Sequence, residues 1–397
     1  MDLDQDQHNE QTPCPCDSGL AYDACCGRQD HSQVNIVASI SSQCIHSEEP
    51  LSPQLQTALD HLDTSPDLFP ARINFAEGQA WFVKMSPRWY RESVFLDPAR
   101  IKGSCIIQTE LAWLQEITDR IVDQPNAYIF HTAFCGSTLM SQALDAAFQT
   151  LPVREPEVLG NLMMYLRNPD KLSEDKDAWY RRIMALLSRR YEEHEVPVIK
   201  ANDYANPMML AMIERQTQAP QLFMYTPLRE FLAGCLKADN RKQWIAQRYK
   251  NLLPAIHYRL GLGADFHIDE NSYGELAALY WSFNIVLFNQ AYRHAPESIR
   301  SLEFSAMLKN TPDAIKRCGK WFELEPRENV DIEQAIAPLF GVYSKNSKFT
   351  YSPAQREKDI TDLVDANKEE LMKAEKLAYQ LLGKDYPHAG LHGSLLA

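Results

Sequence analysis

The sequence predicts an α/β fold: a parallel β-sheet flanked by helices, with a small metal-binding knuckle near the N-terminus. Short apolar runs, each sized for one buried strand, alternate with longer segments of helical apolar spacing. One strand–helix pair, within residues 127–145, is joined by a compact loop that ends in Gly136. Four of the nine cysteines lie within residues 12–28.

Composition narrows the class of protein. A chain of 397 residues with 45% apolar residues has enough material for a large core. The net charge of −13, from 53 acidic and 40 basic residues, argues against a general nucleic-acid or acidic-membrane surface. The sequence has no run long and apolar enough for a membrane span, and its first residues are acidic and polar rather than signal-like. We therefore expect a cytoplasmic protein with reduced thiols and neither nucleic acid nor membrane as a partner.

The N-terminal cysteines follow the spacing C-x-C-x8-C-C, at Cys14, Cys16, Cys25 and Cys26. In a reducing compartment this spacing indicates a tetrahedral zinc site rather than two disulfides, with unligated thiols as the alternative. A segment this short has no core, so metal binding would supply its folding free energy. We call residues 12–28 the zinc knuckle.

The zinc knuckle resembles the SEC-C motif, named for the zinc-binding tail of the SecA translocation motor. Its four cysteine positions, Ser18-Gly19, Tyr22 and Gly27 match that motif, whereas Asp17 replaces the first glycine and the usual lysines around the tyrosine are missing. The resemblance implies a structural zinc ion and allows a protein partner bound through the knuckle.

Four segments are predicted along the chain. After the zinc knuckle, residues 29–70 are predicted to be a linker containing one short helix at 53–62. Residues 71–125 are predicted to be an extension packed on the main domain, with a hairpin and a helix over 110–122. Residues 126–383 form the main domain, and the tail 388–397 is expected to be loose.

The main domain opens with residues 127–130, a continuous apolar run typical of a buried strand. Residues 131–136 form a compact loop, which we call the Gly136 loop, and Ser137 and Thr138 begin an amphipathic helix. Unpaired backbone N–H groups and the helix dipole favour an anion at such a point, and the two hydroxyls add donors. The alternative is an ordinary strand–turn–helix unit.

The Gly136 loop is close to the nucleotide P-loop pattern without meeting it, because Ser137 stands at the lysine position and His131 at the first glycine. It resembles the 5′-phosphosulfate loop of sulfotransferases, above all the tyrosylprotein sulfotransferases. The resemblance covers roughly residues 125–350 and implies a P-loop-type sheet with 3′-phosphoadenylylsulfate as donor, contacted by Cys135, Gly136, Ser137 and Thr138. One departure is Phe134, which stands where most of that family has a lysine or arginine.

Cys135 allows two interpretations. At a helix N-terminus its pKa would fall and the thiolate would become reactive, or the side chain is a small filler in a tight loop.

Two further polar residues follow predicted strands and are candidates for chemistry. Glu155 follows the strand at 151–153 and is a candidate general base, as in the tyrosylprotein sulfotransferases; the alternative is a helix N-terminal carboxylate beside Arg154. Lys200 ends the strand at 196–199 and is a candidate contact for a phosphate or sulfate oxygen, or else a solvated strand end.

The strand at 221–225 precedes a basic segment. In sulfotransferases an arginine directly after this strand and a serine eight residues later hold the 3′-phosphate of the donor; here those positions are Thr226 and Gly234. If the alignment is shifted along the chain, Arg229 takes the arginine position and Lys237 the serine position. Arg241 and Lys242 keep the segment basic in either register, and an exposed helix face is the alternative.

The remaining predictions concern the C-terminal half. A core helix is expected at 275–291, a strand at 299–304, a helix around Ile315 and one long helix at 353–382. A comparable late loop in the family folds over the nucleotide, which implies contacts from Lys345 and Lys348, with a solvated loop as the alternative.

Three functions follow from these patterns. The leading hypothesis is transfer of a sulfuryl group to a hydroxyl or amine of a small-molecule or protein acceptor, with Glu155 as base and Lys200 and Arg229 supplying charge. The second is ATP-dependent phosphoryl transfer with Thr138 on magnesium. The third is a degenerate, non-enzymatic module recruited through the zinc knuckle. The apolar helices between the strands do not identify an acceptor.

Overall fold

The computed structural model describes residues 36–40, 45–46, 53–96, 106–122, 124–215, 217, 219–263, 265–343, 346–350, 353–388 and 390–397. The zinc knuckle and Lys345 therefore lie outside the described residues, and of Lys348 only the backbone is described. The chain divides into two compact units. Unit 1 comprises Met1–Asn126 and Thr150–Ile199, and unit 2 comprises Ala127–Gln149 and Lys200–Ala397.

The strands, in chain order, are β1 (Ile36–Ile40), β2 (Ile45–His46), β3 (Leu68–Asn74), β4 (Gln79–Lys84), β5 (Ile106–Glu110), β6 (Ala127–His131), β7 (Thr150–Arg154), β8 (Val196–Lys200), β9 (Gln221–Tyr225), β10 (Ile299–Glu303), β11 (Val342–Tyr343) and β12 (Asn346–Thr350). The helices are α1 (Pro53–Asp60), α2 (Pro87–Glu92), α3 (Leu111–Thr118), α4 (Ser137–Ala147), α5 (Glu157–Leu166), α6 (Ser173–Ser188), α7 (Met208–Glu214), α8 (Leu228–Leu236), α9 (Asp239–Leu260), α10 (Tyr273–His294), α11 (Phe304–Lys309), α12 (Thr311–Trp321), α13 (Ile332–Ile336), α14 (Pro353–Ala366) and α15 (Lys368–Leu382).

Unit 1 contains a sheet with strand order β2-β1-β5-β4-β3. The predicted hairpin is present, since β3 and β4 pair antiparallel across the turn at Gly78. β1 pairs parallel with β5, so a segment predicted as linker contributes a strand to this sheet. The run Ile36–Ile40 favours a strand, but it is short and surrounded by polar residues. The polar composition of the whole segment therefore led to the prediction of a linker.

Two buried arginines organise the interior of unit 1. Arg189 donates to the carbonyls of Leu62, Ser65 and Leu68, and burial lowers its pKa to about 10. The guanidinium of Arg154, at the end of β7, donates to the carbonyls of Tyr90, Arg91 and Ser93. Each guanidinium thus satisfies several backbone carbonyls around it, as a buried cation requires.

The second sheet establishes the α/β class. In unit 2, β6, β9 and β10 pair in parallel in the order β10-β9-β6. All residues of β6, β7 and β9 are buried, as expected for strands covered on both faces. The predicted core helix is α10, fifteen of whose residues are buried. The predicted parallel sheet flanked by helices is therefore confirmed.

The C-terminal region differs from the prediction in two respects. The long final helix is two helices, α14 and α15, separated at Asn367, whose side-chain amide donates to the Leu363 carbonyl. The tail is not loose, because Ser301 N–H donates to the Gly393 carbonyl and Leu395 N–H to the Ser301 carbonyl. Since β10 is an edge strand, its unpaired backbone groups bind the tail, and Leu391 and Leu395 are buried.

Across the described residues, none of the helices combines the length and apolar character needed to cross a lipid bilayer. The same residues include no group of three or more His, Cys, Asp or Glu side chains arranged to hold a metal ion.

Candidate functional site: the Gly136 loop

The Gly136 loop connects β6 to α4, as predicted, and its backbone is unusual. Ala133, Phe134 and Gly136 have φ values of +66°, +51° and +73°. Non-glycine residues rarely occupy this left-handed region, and successive departures from extended backbone turn the chain sharply. Such turns create concavities lined by N–H groups, which bind anions.

The base of the loop is held by His131, the residue at the first glycine position of the P-loop pattern. Its Nδ1 accepts a hydrogen bond from Ala133 N–H at 3.0 Å, so the proton is on Nε2, which lies 3.0 Å from the Ala201 carbonyl. The Asn206 amide donates to the His131 carbonyl and accepts from its N–H. Sequence reasoning named His131 only by its place in the P-loop pattern and missed Asn206, which no local pattern distinguishes.

Gly136 precedes α4 and is constrained by space as well as by φ. A Cβ at this position would overlap the ring of Phe304, the first residue of α11. The guanidinium carbon of Arg356 lies 4.7 Å from the centroid of that ring. Glycine is therefore the residue that fits both the backbone conformation and the contact.

Several hydrogen-bond donors meet at the loop without an acceptor. Among the described residues, the N–H groups of Phe134, Cys135 and Gly136 donate to no protein acceptor. Ser137 and Thr138 are 6% and 3% exposed, and within the same part of the chain their hydroxyls make no hydrogen bond. These groups lie at the positive end of the α4 dipole. Three of the predicted binding residues, Gly136, Ser137 and Thr138, thus place hydrogen-bond donors together at this helix N-terminus, an arrangement we call the cradle.

The side chain of Cys135 turns away from this cradle. Its Sγ donates to the Met224 carbonyl at 3.3 Å and is fully buried. Burial raises the pKa of the thiol to about 11. Of the two interpretations of Cys135, the buried side chain therefore agrees with the small filler, because loss of solvent outweighs the helix dipole. Only the backbone N–H of Cys135 remains available to an anion.

Lys200 is buried, so the alternative that it is a solvated strand end is wrong. Its side chain has no exposed surface. Its positive charge acts to lower the pKa of the Cys135 thiol, against the larger effect of burial. The next residue, Ala201, donates its N–H to the Ile129 carbonyl of β6. A buried cation whose charge acts on a residue of the Gly136 loop suits an anionic ligand.

Arg229 and Lys237 lie on α8 and are already paired. Arg229 makes two contacts of 2.7 Å with the Glu375 carboxylate, and Lys237 lies 3.0 Å from Asp359. These partners belong to α15 and α14, so both cations point to the side of α8 that contacts those helices. The structure does not bring them to the Gly136 loop.

Thr226 and Gly234, which occupy the family's arginine and serine positions when the register is not shifted, do adjoin the Gly136 loop. Thr226 Oγ1 donates to the Phe134 carbonyl at 3.3 Å. A Cβ at Gly234 would lie 3.9 Å from Phe134 and 3.7 Å from Nη1 of Arg241. The segment after β9 therefore reaches the loop through two uncharged residues, and the nearby charge belongs to Arg241.

Glu155 follows β7 in unit 1, as predicted. Its φ is +54°, a conformation uncommon for a residue with a Cβ. Residues held in such conformations are frequent at functional sites, which is compatible with the predicted role as base without establishing it.

Sequence reasoning overlooked a carboxylate cluster next to Phe304. Burial and then the charge of Glu230 raise the pKa of Glu303, at the end of β10. Glu230 pairs with Arg356 at 2.6 Å and accepts from the Ser305 hydroxyl at 3.1 Å. Glu303 directly precedes Phe304, whose ring lies against Gly136, and carboxyl groups with a raised pKa are frequent at functional sites.

Comparisons with known proteins give one family match and several similar solved structures. The SEC-C motif family matches residues 12–28. Similar solved structures include a sulfotransferase from Mycobacterium avium, with 10% identity, a TM-score of 0.36, and coverage of 64% of this chain and 80% of that one. A sulfotransferase from Alicyclobacillus acidocaldarius and the sulfotransferase domain of the curacin biosynthetic pathway each have 12% identity and a TM-score of 0.34; they cover 66% of this chain and, respectively, 96% and 98% of their own lengths. No curated protein is detectably similar in sequence. At these identities and TM-scores the likeness does not assign an activity, and the site must be judged by its own residues.

Proposed function

We propose that this protein is a sulfotransferase that uses 3′-phosphoadenylylsulfate as donor. The observation that carries the proposal is the Gly136 loop: within the described residues, N–H groups without a protein acceptor and the hydroxyls of two largely buried residues, Ser137 and Thr138, meet there at a helix N-terminus. The acceptor is a hydroxyl or amine of a small molecule or protein. The cytoplasm is the proposed location, because nothing in the composition favours another compartment.

The residues of the loop bind and orient the donor, which supplies the sulfuryl group. The N–H groups of Cys135 and Gly136 and the hydroxyls of Ser137 and Thr138 hold its 5′-phosphosulfate. Lys200 adds positive charge that acts on the loop. Sulfuryl transfer depends on positioning and charge stabilisation, which preorganised donors and a buried cation provide.

Glu155 is the proposed general base. As the acceptor oxygen or nitrogen forms its bond to sulfur, its proton passes to the Glu155 carboxylate, and the bond between sulfur and the bridging phosphate oxygen breaks. Adenosine 3′,5′-bisphosphate then leaves with that oxygen. Atoms and charge balance without a further reactant.

Arg229 and Lys237 are the proposed contacts for the 3′-phosphate. Since both are paired with carboxylates, binding requires them to exchange Glu375 and Asp359 for the phosphate. Exposed pairs of this kind contribute only about 0–1 kcal/mol, so a doubly charged phosphate competes effectively.

The zinc knuckle has a separate proposed role. Its match to the SEC-C family supports a structural zinc ion held by Cys14, Cys16, Cys25 and Cys26, and a protein partner bound through the knuckle. Recruitment by the knuckle without catalysis is the alternative function. ATP-dependent phosphoryl transfer is less favoured, because Ser137 occupies the position of the nucleotide-binding lysine.

The proposal is tested by calorimetric titration with adenosine 3′,5′-bisphosphate. We expect micromolar binding to the wild type and loss of that binding in Ser137→Ala/Thr138→Ala. The matched control, Ser272→Ala/Thr361→Ala, removes two hydroxyls of unit 2 outside the loop and should bind as the wild type does. Binding of neither this nucleotide nor ATP–magnesium by the wild type would refute both enzymatic functions.

A further inference from the structure

Arg241, in the first turn of α9, lies directly on the Gly136 loop. Its guanidinium carbon is 4.4 Å from the ring centroid of Phe134. Its Nη1 donates to the Gly234 carbonyl at 2.8 Å. The guanidinium is therefore stacked on one loop residue and tied to α8 by one of its five N–H donors.

Among the described residues, Arg241 differs from several other cations of unit 2 in forming no ion pair. Arg229, Lys237, Arg248 and Arg356 each contact a carboxylate, on Glu375, Asp359, Asp203 and Glu230 respectively. Within the described part of the chain, the guanidinium of Arg241 stacks on the Phe134 ring, donates to the Gly234 carbonyl and forms no ion pair. In a protein of net charge −13, an arginine without a carboxylate partner beside unfilled hydrogen-bond donors suits an anionic ligand.

The ring of Phe134 is itself held in place, so it can fix the guanidinium. It packs edge-on against Trp244 with centroids 5.0 Å apart, and its centroid lies 6.2 Å from that of Phe231. Trp244 lies one turn beyond Arg241 on α9. Stacking on a fixed ring restricts the rotamers of the arginine and leaves its unused N–H groups available at the edge.

We propose that Arg241 binds the anionic group held by the Gly136 loop and that Phe134 positions it there. The inference deepens the proposed function, because it names the cation that neutralises the phosphosulfate end of the donor. Phe134, which has no charge, thereby contributes to charge stabilisation through the guanidinium stacked on it. The ligand class is a phosphate, pyrophosphate or phosphosulfate group.

The test uses calorimetry with adenosine 3′,5′-bisphosphate and, separately, with sodium pyrophosphate. We expect Arg241→Gln to weaken binding of both ligands by about 10- to 100-fold, as for loss of a hydrogen bond to a charged group. The matched control is Arg300→Gln: Arg300 stacks on Trp321 at 4.2 Å and donates to the Ile299 carbonyl at 3.0 Å, but it lies in the first half of β10, away from the loop. The Arg300→Gln variant should bind both ligands with dissociation constants within twofold of those of the wild type.

Two more variants separate ligand binding from a structural role. Arg241→Lys keeps the charge but loses the planar stack, so it should bind more weakly than the wild type and more tightly than Arg241→Gln. Phe134→Leu keeps Arg241 and removes the ring, and should weaken binding severalfold. A purely structural arginine would lower the melting temperature of the ligand-free protein while the ligand-induced rise in melting temperature stayed unchanged.

The outcomes distinguish this inference from the proposed function. If the wild type and Arg241→Gln bind the nucleotide equally, the inference is wrong and the proposed function stands. If the wild type binds pyrophosphate in an Arg241-dependent manner but does not bind the nucleotide, the inference stands and the donor assignment fails. If the wild type binds neither ligand, both are refuted.

Discussion

Replacing Gly136 with alanine should test whether the loop needs both a left-handed backbone and free space. The φ of Gly136 is +73°. An alanine held in this region costs about 1–2 kcal/mol of the free energy of unfolding, because its Cβ approaches the following carbonyl oxygen. This first part of the cost depends on the backbone alone.

The second part comes from the Phe304 ring, which the new Cβ would overlap. The ring cannot move aside freely, because Arg356 stacks on it and is itself paired with Glu230. Inserting a methyl group into a filled space costs about 1–3 kcal/mol. We therefore expect Gly136→Ala to lose about 2–5 kcal/mol, the sum of the two parts.

Gly261 supplies the matched control. Its φ is +66°, and a Cβ there would meet no atom within 4 Å. Gly261→Ala should therefore lose only the backbone part, about 1–2 kcal/mol. Urea unfolding followed by circular dichroism measures both variants, and the difference between them isolates the contact with Phe304.

Equal losses of stability in the two variants would refute the argument that Phe304 constrains the loop. A double-mutant cycle gives a second check. In the background of Phe304→Leu, adding Gly136→Ala should cost about as much as Gly261→Ala does in the wild type, because the overlap is gone. A full loss of 2–5 kcal/mol in that background would contradict the steric explanation.

Two further predictions follow from individual contacts. The pKa of the Cys135 thiol is raised to about 11, so its contribution to stability is complete below about pH 9 and is lost as pH rises from about 9 to 11. Cys135→Ala should therefore remove about 2–3 kcal/mol from the alkaline fall in the free energy of unfolding measured at pH 8 and pH 11, and a parallel fall in both proteins would contradict the burial argument. Glu375→Gln frees Arg229 and should tighten binding of adenosine 3′,5′-bisphosphate by about two- to fivefold without affecting AMP, which has no 3′-phosphate. Unchanged affinity for both nucleotides would show that Arg229 does not contact the 3′-phosphate.

The parallel sheet was predictable because its signals are local. The predicted strand at 221–225 coincides with β9. The predicted strands at 127–130, 151–153 and 196–199 are each one or two residues shorter than the observed strands β6, β7 and β8. A continuous apolar run closed by a polar residue identifies a buried strand without any knowledge of its neighbours. The same holds for α4, whose start is given by Gly136 followed by helical apolar spacing.

The tail and the strand β1 were not predictable for the opposite reason. Both form by pairing with a strand distant in the chain: β1 with β5, and residues 393–395 with Ser301 of β10. Neither the tail nor β1 has a long apolar pattern that would predict its structure locally. Their structure depends on an edge that exists only after the sheet has formed.

The cations at the candidate site are the feature that the sequence predicted least well. Comparison with a family pattern identified Phe134 as a missing cation and selected Arg229 and Lys237 by spacing along the chain. In the folded protein those two cations are paired with carboxylates, whereas Arg241 reaches the loop from α9. Spacing along the chain gives no information on which cations have counter-charges, because pairing depends on α14 and α15, more than a hundred residues further on. A cation is useful to an anionic ligand only where no carboxylate neutralises it. Among the described residues no carboxylate pairs with Arg241, which distinguishes this arginine more strongly than its position in any motif.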